Sequence, residues 1–122
     1  MQSNHQFIAE AYRAFNARDI DAALVLMHPN VDWPNGMEGG RVIGHDAIRE
    51  YWTRQWKIVS PHVDPTAMED DAKKRTVVSV HQVVKDMSGN IFFDQTIRHI
   101  YTLREGLIVR MDIMDIEEIK TE

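Results

Sequence analysis

Apolar residues recur at helical spacing over roughly the first half of the chain and at every second position over the rest. The change of period divides the chain into a helical half and a strand half. Phe7, Ile8, Ala11, Tyr12, Ala14 and Phe15 form one stripe that begins after Asn4-His5 and predicts a first helix. Asn16-Ala17-Arg18-Asp19 interrupts it. Asp19 is the expected cap of a short second helix carrying Ile20, Ala23, Leu24 and Met27, which Pro29 should end. Val31-Asp32-Trp33 reads as a short strand, followed by a loop of turn formers, Pro34, Asn35, Gly36, Gly39 and Gly40. A third helix, with Asp46 as expected cap, carries Ala47, Ile48, Tyr51, Trp52, Gln55, Trp56 and Val59 and closes at Pro61. Its three large aromatics must pack on something broad, such as a sheet.

From His62 the period is two. The segment from His62 to Asp70 contains Pro65, which suits an edge strand because proline cannot donate to a neighbour on both sides. Strands are predicted from Thr76 to Asp86, from Ile91 to Leu103 and from Leu107 to Glu117, with turns at Ser88-Gly89-Asn90 and Arg104-Glu105-Gly106. Helices followed by an antiparallel meander predict a single α+β domain over residues 1–122. Both long strands are apolar on both faces. Helices can cover only one of these faces, so the pattern predicts a homodimer formed through the open side of the sheet.

Composition narrows the function classes. A net charge of -5 argues against nucleic acid, and the basic run Lys73-Lys74-Arg75 follows Glu69, Asp70 and Asp71 as expected of a solvated hairpin turn. The chain has no cysteine, which removes disulfides, thiolate metal sites and cysteine nucleophiles. Neither a leader-like amino-terminal segment nor an apolar run of membrane-spanning length is visible, so a cytoplasmic, membrane-free protein is expected. The six histidines are scattered without the spacing of a helical metal site, and no phosphate loop or nucleotide fingerprint occurs. No metal or cofactor is expected.

Four segments in this order resemble the nuclear transport factor 2-like superfamily, in particular its SnoaL-like and ketosteroid isomerase-like members. They are Phe15-Asn16-Ala17-Arg18-Asp19-Ile20-Asp21-Ala22, His28-Pro29-Asn30-Val31-Asp32-Trp33, Gly44-His45-Asp46-Ala47-Ile48-Arg49-Glu50-Tyr51-Trp52, and the stretch from His99 to Arg110. The resemblance implies a cone: a curved, mostly antiparallel sheet wrapped around three N-terminal helices, with an apolar pocket at the open end. Fold alone does not assign chemistry. On an ungapped alignment the isomerase tyrosine falls on Ala11, one residue short of Tyr12. The isomerase base falls on Trp33 and the protonated acid on Arg98. Tryptophan cannot abstract a proton and arginine stays cationic, so that mechanism is not expected. Limonene epoxide hydrolases, on the same fold, hold water with a Tyr-x-Asn that Trp33-Pro34-Asn35 matches only at Asn35, and their last-strand Asp falls on Ile113, next to Asp112. SnoaL-type cyclases use a late-strand Asp with a His, roles that Asp112 and His99 match loosely.

Two function classes follow from the resemblance. One is a cofactor-free isomerase, cyclase, dehydratase or hydrolase acting on a hydrophobic metabolite by acid/base chemistry. The other is a non-catalytic ligand-binding or dimerisation module. For the first, Arg98 is the candidate electrostatic anchor and Asp112 or Asp115 the candidate acid/base group. The alternative for Arg98 is a structural ion pair. His99 and Asp112 are expected as neighbours across the last hairpin, with Asp112 opposite His99 or Arg98 according to register. The expected pocket wall is Tyr12, Trp33, Tyr51, Trp52 and Trp56, with Ile100 and Ile113 from the late strands and Gln82 turned inward. Asn35 is the candidate polar contact at the mouth, and a plain turn role suits it equally. Plain core packing is the simpler reading for each aromatic taken alone.

Overall fold

The computed structural model describes residues 3–115. Helix α1 spans Asn4–Asn16 and is capped by Ser3, whose hydroxyl accepts from the Gln6 amide while the Gln6 side chain returns to the Ser3 backbone. Helix α2 spans Ile20–Leu24 behind its Asp19 cap. Strands β1 (Met27–Pro34) and β2 (Arg41–Ile43) follow, then helix α3 (His45–Ile58). The chain continues into a meander of β3 (Val59–Asp70), β4 (Thr76–Asp86), β5 (Ile91–Arg104) and β6 (Leu107–Asp115). The strand order is β2-β1-β6-β5-β4-β3, antiparallel throughout except for the parallel pair β1–β6.

This is the α+β architecture expected, a curved, unclosed sheet with helices from the amino-terminal half against one face. The core between them is formed by Ile8, Val31, Ile48, Val78, Val80 and Ile108, all with no exposed surface, around Trp52 and Tyr101. Burying such side chains supplies most of the folding drive. Asn16 fixes α1 to the edge strand with a two-way amide fork, donating to the Val63 carbonyl at 2.8 Å and accepting from the Val63 amide at 3.0 Å. Strand β3 is indeed the edge, and its register slips between Pro65 and Ala67, where proline's missing donor does least damage.

Three local expectations are corrected. Met27 and Pro29 belong to β1 and not to the preceding helix, because α2 stops at Leu24. Strand β3 starts at Val59, with Pro61 buried inside it. The cap of α3 is Gly44, not Asp46: Gly44 takes φ 90°, and a Cβ there would meet the Pro29 carbonyl oxygen at 3.3 Å.

The decisive local feature is the β5–β6 hairpin. Arg104 pairs with Leu107 and Leu103 with Ile108, but Thr102 pairs with Arg110, so Val109 is the extra residue of a β-bulge. Beyond it every partner moves by one. Asp112 therefore lies opposite Ile100, and His99 lies opposite Ile113. The expected His99–Asp112 neighbour pair does not form, because the two residues sit on opposite faces of the sheet.

Candidate functional site

The helix-facing side of the sheet encloses a cavity of about 370 Å³. Helix α1 contributes Tyr12 and Phe15, α3 contributes Tyr51, Trp52 and Gln55, and β1 contributes Met27 and Trp33. Strand β5 supplies an alternating row, Phe93, Gln95, Ile97, His99 and Tyr101, and β4 supplies Gln82 and Val84. Exposure orients the space. Tyr12, His99 and Tyr101 are buried at one end, whereas Phe92 at 61% and Phe93 at 36% are exposed at the other, which is the mouth.

The deep end is the polar one. The Tyr12 hydroxyl oxygen lies 2.7 Å from His99 Nδ1, and the two rings stack at 5.8 Å. Tyr101 meets both rings edge-on. Burial lowers the His99 pKa from 6.5 to about 4, so the ring is neutral at working pH. Burial also pushes Tyr12 and Tyr101 well above the ordinary phenol range, and the two hydroxyls interact. Phenol is a better donor than imidazole N–H, and imidazole nitrogen a better acceptor than phenol oxygen. In the tautomer where Tyr12 donates to Nδ1, His99 carries its own proton on Nε2. That atom has no hydrogen-bond partner among the described residues.

The mouth is shaped by the segment from Pro34 to Gly40. Asn35 is buried, but not in the cavity wall. Its side-chain oxygen accepts from the Glu38 amide at 2.8 Å and its amide donates to Glu38 Oε1 at 2.9 Å. Arg54 of α3 grips the same carboxylate through Nε and Nη2. The loop is thus tied to α3, which keeps Pro34, Gly36 and Met37 at the lip. The Tyr51 hydroxyl accepts from the Gln55 amide at 3.3 Å, and burial raises its pKa while the Met37 and Gly36 backbone opposes the rise.

Of the residues singled out from sequence, Tyr12, Trp33, Tyr51, Trp52, Gln82 and Ile113 line this cavity. Trp56 stacks on Trp52 behind the wall, with the Arg18 guanidinium 5.0 Å above its ring. Arg98 and Ile100 alternate with His99 and face away from the cavity, and the Arg98 Nε is buried without a partner. Asp112 is on that outer face, held by Arg110 and Arg41, which also bind Asp32. Asp115 closes β6 opposite Ile97, and its side chain lies outside the described part of the structure. The residues that sequence reasoning passed over are Tyr101, Gln95 and the inward direction of His99. Strict alternation from Ile97 to Tyr101 within β5 carried that direction. Among the described residues no three His, Cys, Asp or Glu side chains converge as metal ligands, and no helix is long and apolar enough to cross a membrane.

A family model of the SnoaL-like domain matches residues 8–111. The chain belongs to this family. Solved structures agree with the assignment. This SnoaL-like chain is similar to TerC, co-crystallised with polyporic acid, at 27% identity over 97% of this chain and 95% of that one, with a TM-score of 0.80. It is also similar to an NTF2-like protein of unknown function from Burkholderia pseudomallei, at 25% identity over 99% and 97% of the two chains and a TM-score of 0.80. A candidate polyketide cyclase from Sinorhizobium meliloti shares the fold at 23% identity, over 93% and 100% of the chains, with a TM-score of 0.73. No curated protein matches the SnoaL-like chain significantly.

Proposed function

We propose that the protein binds a flat hydrophobic metabolite by a carbonyl or phenolic oxygen at the deep end of the cavity. There His99 and Tyr101 hydrogen-bond that oxygen and so acidify the neighbouring C–H, whose proton solvent water takes up and returns at another carbon, as in a cofactor-free isomerisation. The observation that carries the reading is the buried Tyr12–His99–Tyr101 cluster closing an otherwise aromatic and apolar cavity. A histidine of pKa about 4 is a poor base near neutrality. As a neutral donor it serves well, because Nε2–H can meet developing negative charge without first being desolvated. Similarity to TerC supports an aromatic ligand, since that protein was crystallised with polyporic acid.

A specific observation also favours plain ligand binding: no carboxylate lines the cavity among the described residues. One experiment separates the two. 2-Tetralone, a flat bicyclic ketone, is incubated with the protein in heavy water. Wild type is expected to bind it and to accelerate exchange of its α-protons, and His99→Leu to weaken binding about 10-fold or more, the value of a buried hydrogen bond. Binding without faster exchange would select the carrier. Binding indifferent to His99→Leu would remove the polar anchor altogether.

The same reading includes a second copy against the outer face of β4 and β5. Val77 and Val83 lie there only half-buried, apolar surface that a second copy would cover. Light scattering is expected to give twice the monomer mass, and Val83→Asp to give the monomer. A monomeric wild type would refute the pairing.

A further inference from the structure

The polar groups of the cavity wall fall in two separate layers. Along β5 the inward residues run His99, Ile97, Gln95 and Phe93, from the buried end to the mouth. Their partners on β4 are Val78, Val80, Gln82 and Val84, with no slip of register before Val84. The sequence of layers is therefore polar, apolar, polar, apolar. The second polar layer consists of two amides, because Gln82 and Gln95 face each other directly across the strand pair. Directly opposed side chains on one face are within touching distance.

Neither amide has a hydrogen bond to any other described residue, although both are half-buried in the cavity wall. Each offers a donor and an acceptor. The third glutamine of the wall, Gln55, differs: it gives its amide to the Tyr51 hydroxyl. Gln55 is thus held on its amide side while its Oε1 is buried without a partner among the described residues, and Gln82 and Gln95 are left on both sides to whatever fills the cavity.

We propose that Gln82 and Gln95 are a specificity clamp for a second polar group on the ligand, which selects elongated, fused-ring molecules that carry oxygen at both ends. The proposal rests on His99 anchoring the first oxygen, as under the proposed function. Four residues of strand separate His99 from Gln95, or about 13 Å at roughly 3.3 Å per residue. Two hydrogen bonds of about 2.8 Å leave roughly 7 to 8 Å between the ligand oxygens when the groups are collinear, and more when they are oblique. Two or three fused rings span that distance, and the apolar layer of Ile97 and Val80 meets their edge. A small phenol would reach only one layer.

The test compares two probes that differ by one hydroxyl, 2-naphthol and 2,6-dihydroxynaphthalene, by calorimetry. Wild type is expected to bind the diol about 10-fold more tightly, the value of one well-made neutral hydrogen bond in a partly dry site. The Gln82→Met/Gln95→Met double variant, which keeps side-chain length, should lose that advantage and retain its affinity for 2-naphthol. Single variants, checked by thermal melting, serve if the double variant does not fold. A diol preference that survives the variants, or no preference in a wild type that binds 2-naphthol through His99, overturns the clamp and leaves the anchor intact. If 2-naphthol binding is absent or ignores His99→Leu, the anchor itself falls and the clamp falls with it.

Discussion

Trp52→Ala is expected to destabilise the fold by about 3 to 5 kcal/mol, the usual range for removing a large aromatic from a packed interior. Trp52 is 2% exposed and sits where three elements meet. Its ring is edge-on to Phe15 of α1 at 5.2 Å and to Trp33 of β1 at 5.8 Å, and it stacks on Trp56 at 5.7 Å. Each aromatic pair adds a fraction of a kcal/mol to the area it buries. The truncation would leave the aromatic box without its centre, and the void would join the existing 370 Å³ cavity. Collapse around the new space is therefore harder than in a closed core, which puts the cost toward the upper end of the range. At about 4 °C per kcal/mol for a chain of this size, the melting temperature should fall by roughly 12 to 20 °C. Trp56→Ala is the comparison, because Trp56 is only half-buried and has the solvent side of Arg18 against it. It should cost clearly less. A loss below about 1 kcal/mol for Trp52→Ala, or one equal to that of Trp56→Ala, would show that the box is not a joint of the fold.

The elements were legible because apolar spacing reports burial directly. The stripe from Phe7 to Phe15 lies over α1, and the alternation from Thr76 to Asp86 matches β4 residue for residue. Pro65 marked an edge because proline's missing donor leaves few other places for it. What failed to show was backbone geometry that no side chain announces. The bulge at Val109 costs one unpaired residue and leaves the hydrophobic pattern of β6 intact, yet it decides whether Asp112 or Ile113 shares the cavity face with His99. Asp112 looked like a catalytic partner for the same reason, and the register instead puts it in a cluster with Arg41, Arg110 and Asp32. Strand β2 escaped notice because Arg41–Ile43 is too short to show a period. Asn35 was recognisable as a mouth residue but not as its fastener, since its partner Glu38 is held in turn by Arg54, sixteen residues on. The general position of the site was therefore readable, and its polar identity was not.

Stability between pH 6.5 and pH 4 should carry the signature of His99. In the folded state burial holds its pKa at about 4, against 6.5 in a free chain. Between these values the unfolded chain binds a proton that the folded chain refuses, so stability rises with pH. The contribution is complete above pH 6.5 and is lost as pH falls. It amounts to about 3 kcal/mol over the window, because each tenfold difference in proton affinity between the two states is worth about 1.4 kcal/mol. The exposed carboxylates with lowered pKa values, Asp70, Asp71 and Asp86, act in the same direction but titrate below the carboxylate norm, leaving the upper part of the window to histidine. Urea unfolding at pH 6.5, 5.5 and 4.5 tests this against His99→Gln, which keeps a polar group for Tyr12 and cannot titrate. Wild type should lose more stability than the variant over that range, by about 2 kcal/mol or more. Parallel profiles would mean that His99 titrates normally and that the cavity floor is wet. Ligand affinity supplies the contrast, since a ligand meets only the folded state, in which His99 remains neutral to about pH 4. Binding of a neutral probe should therefore be flat from pH 8 to about pH 5 even while stability declines. A floor that holds its proton on Nε2 as a donor predicts both curves together. A solvated histidine acting as a base predicts instead that binding or exchange falls off near pH 6.5.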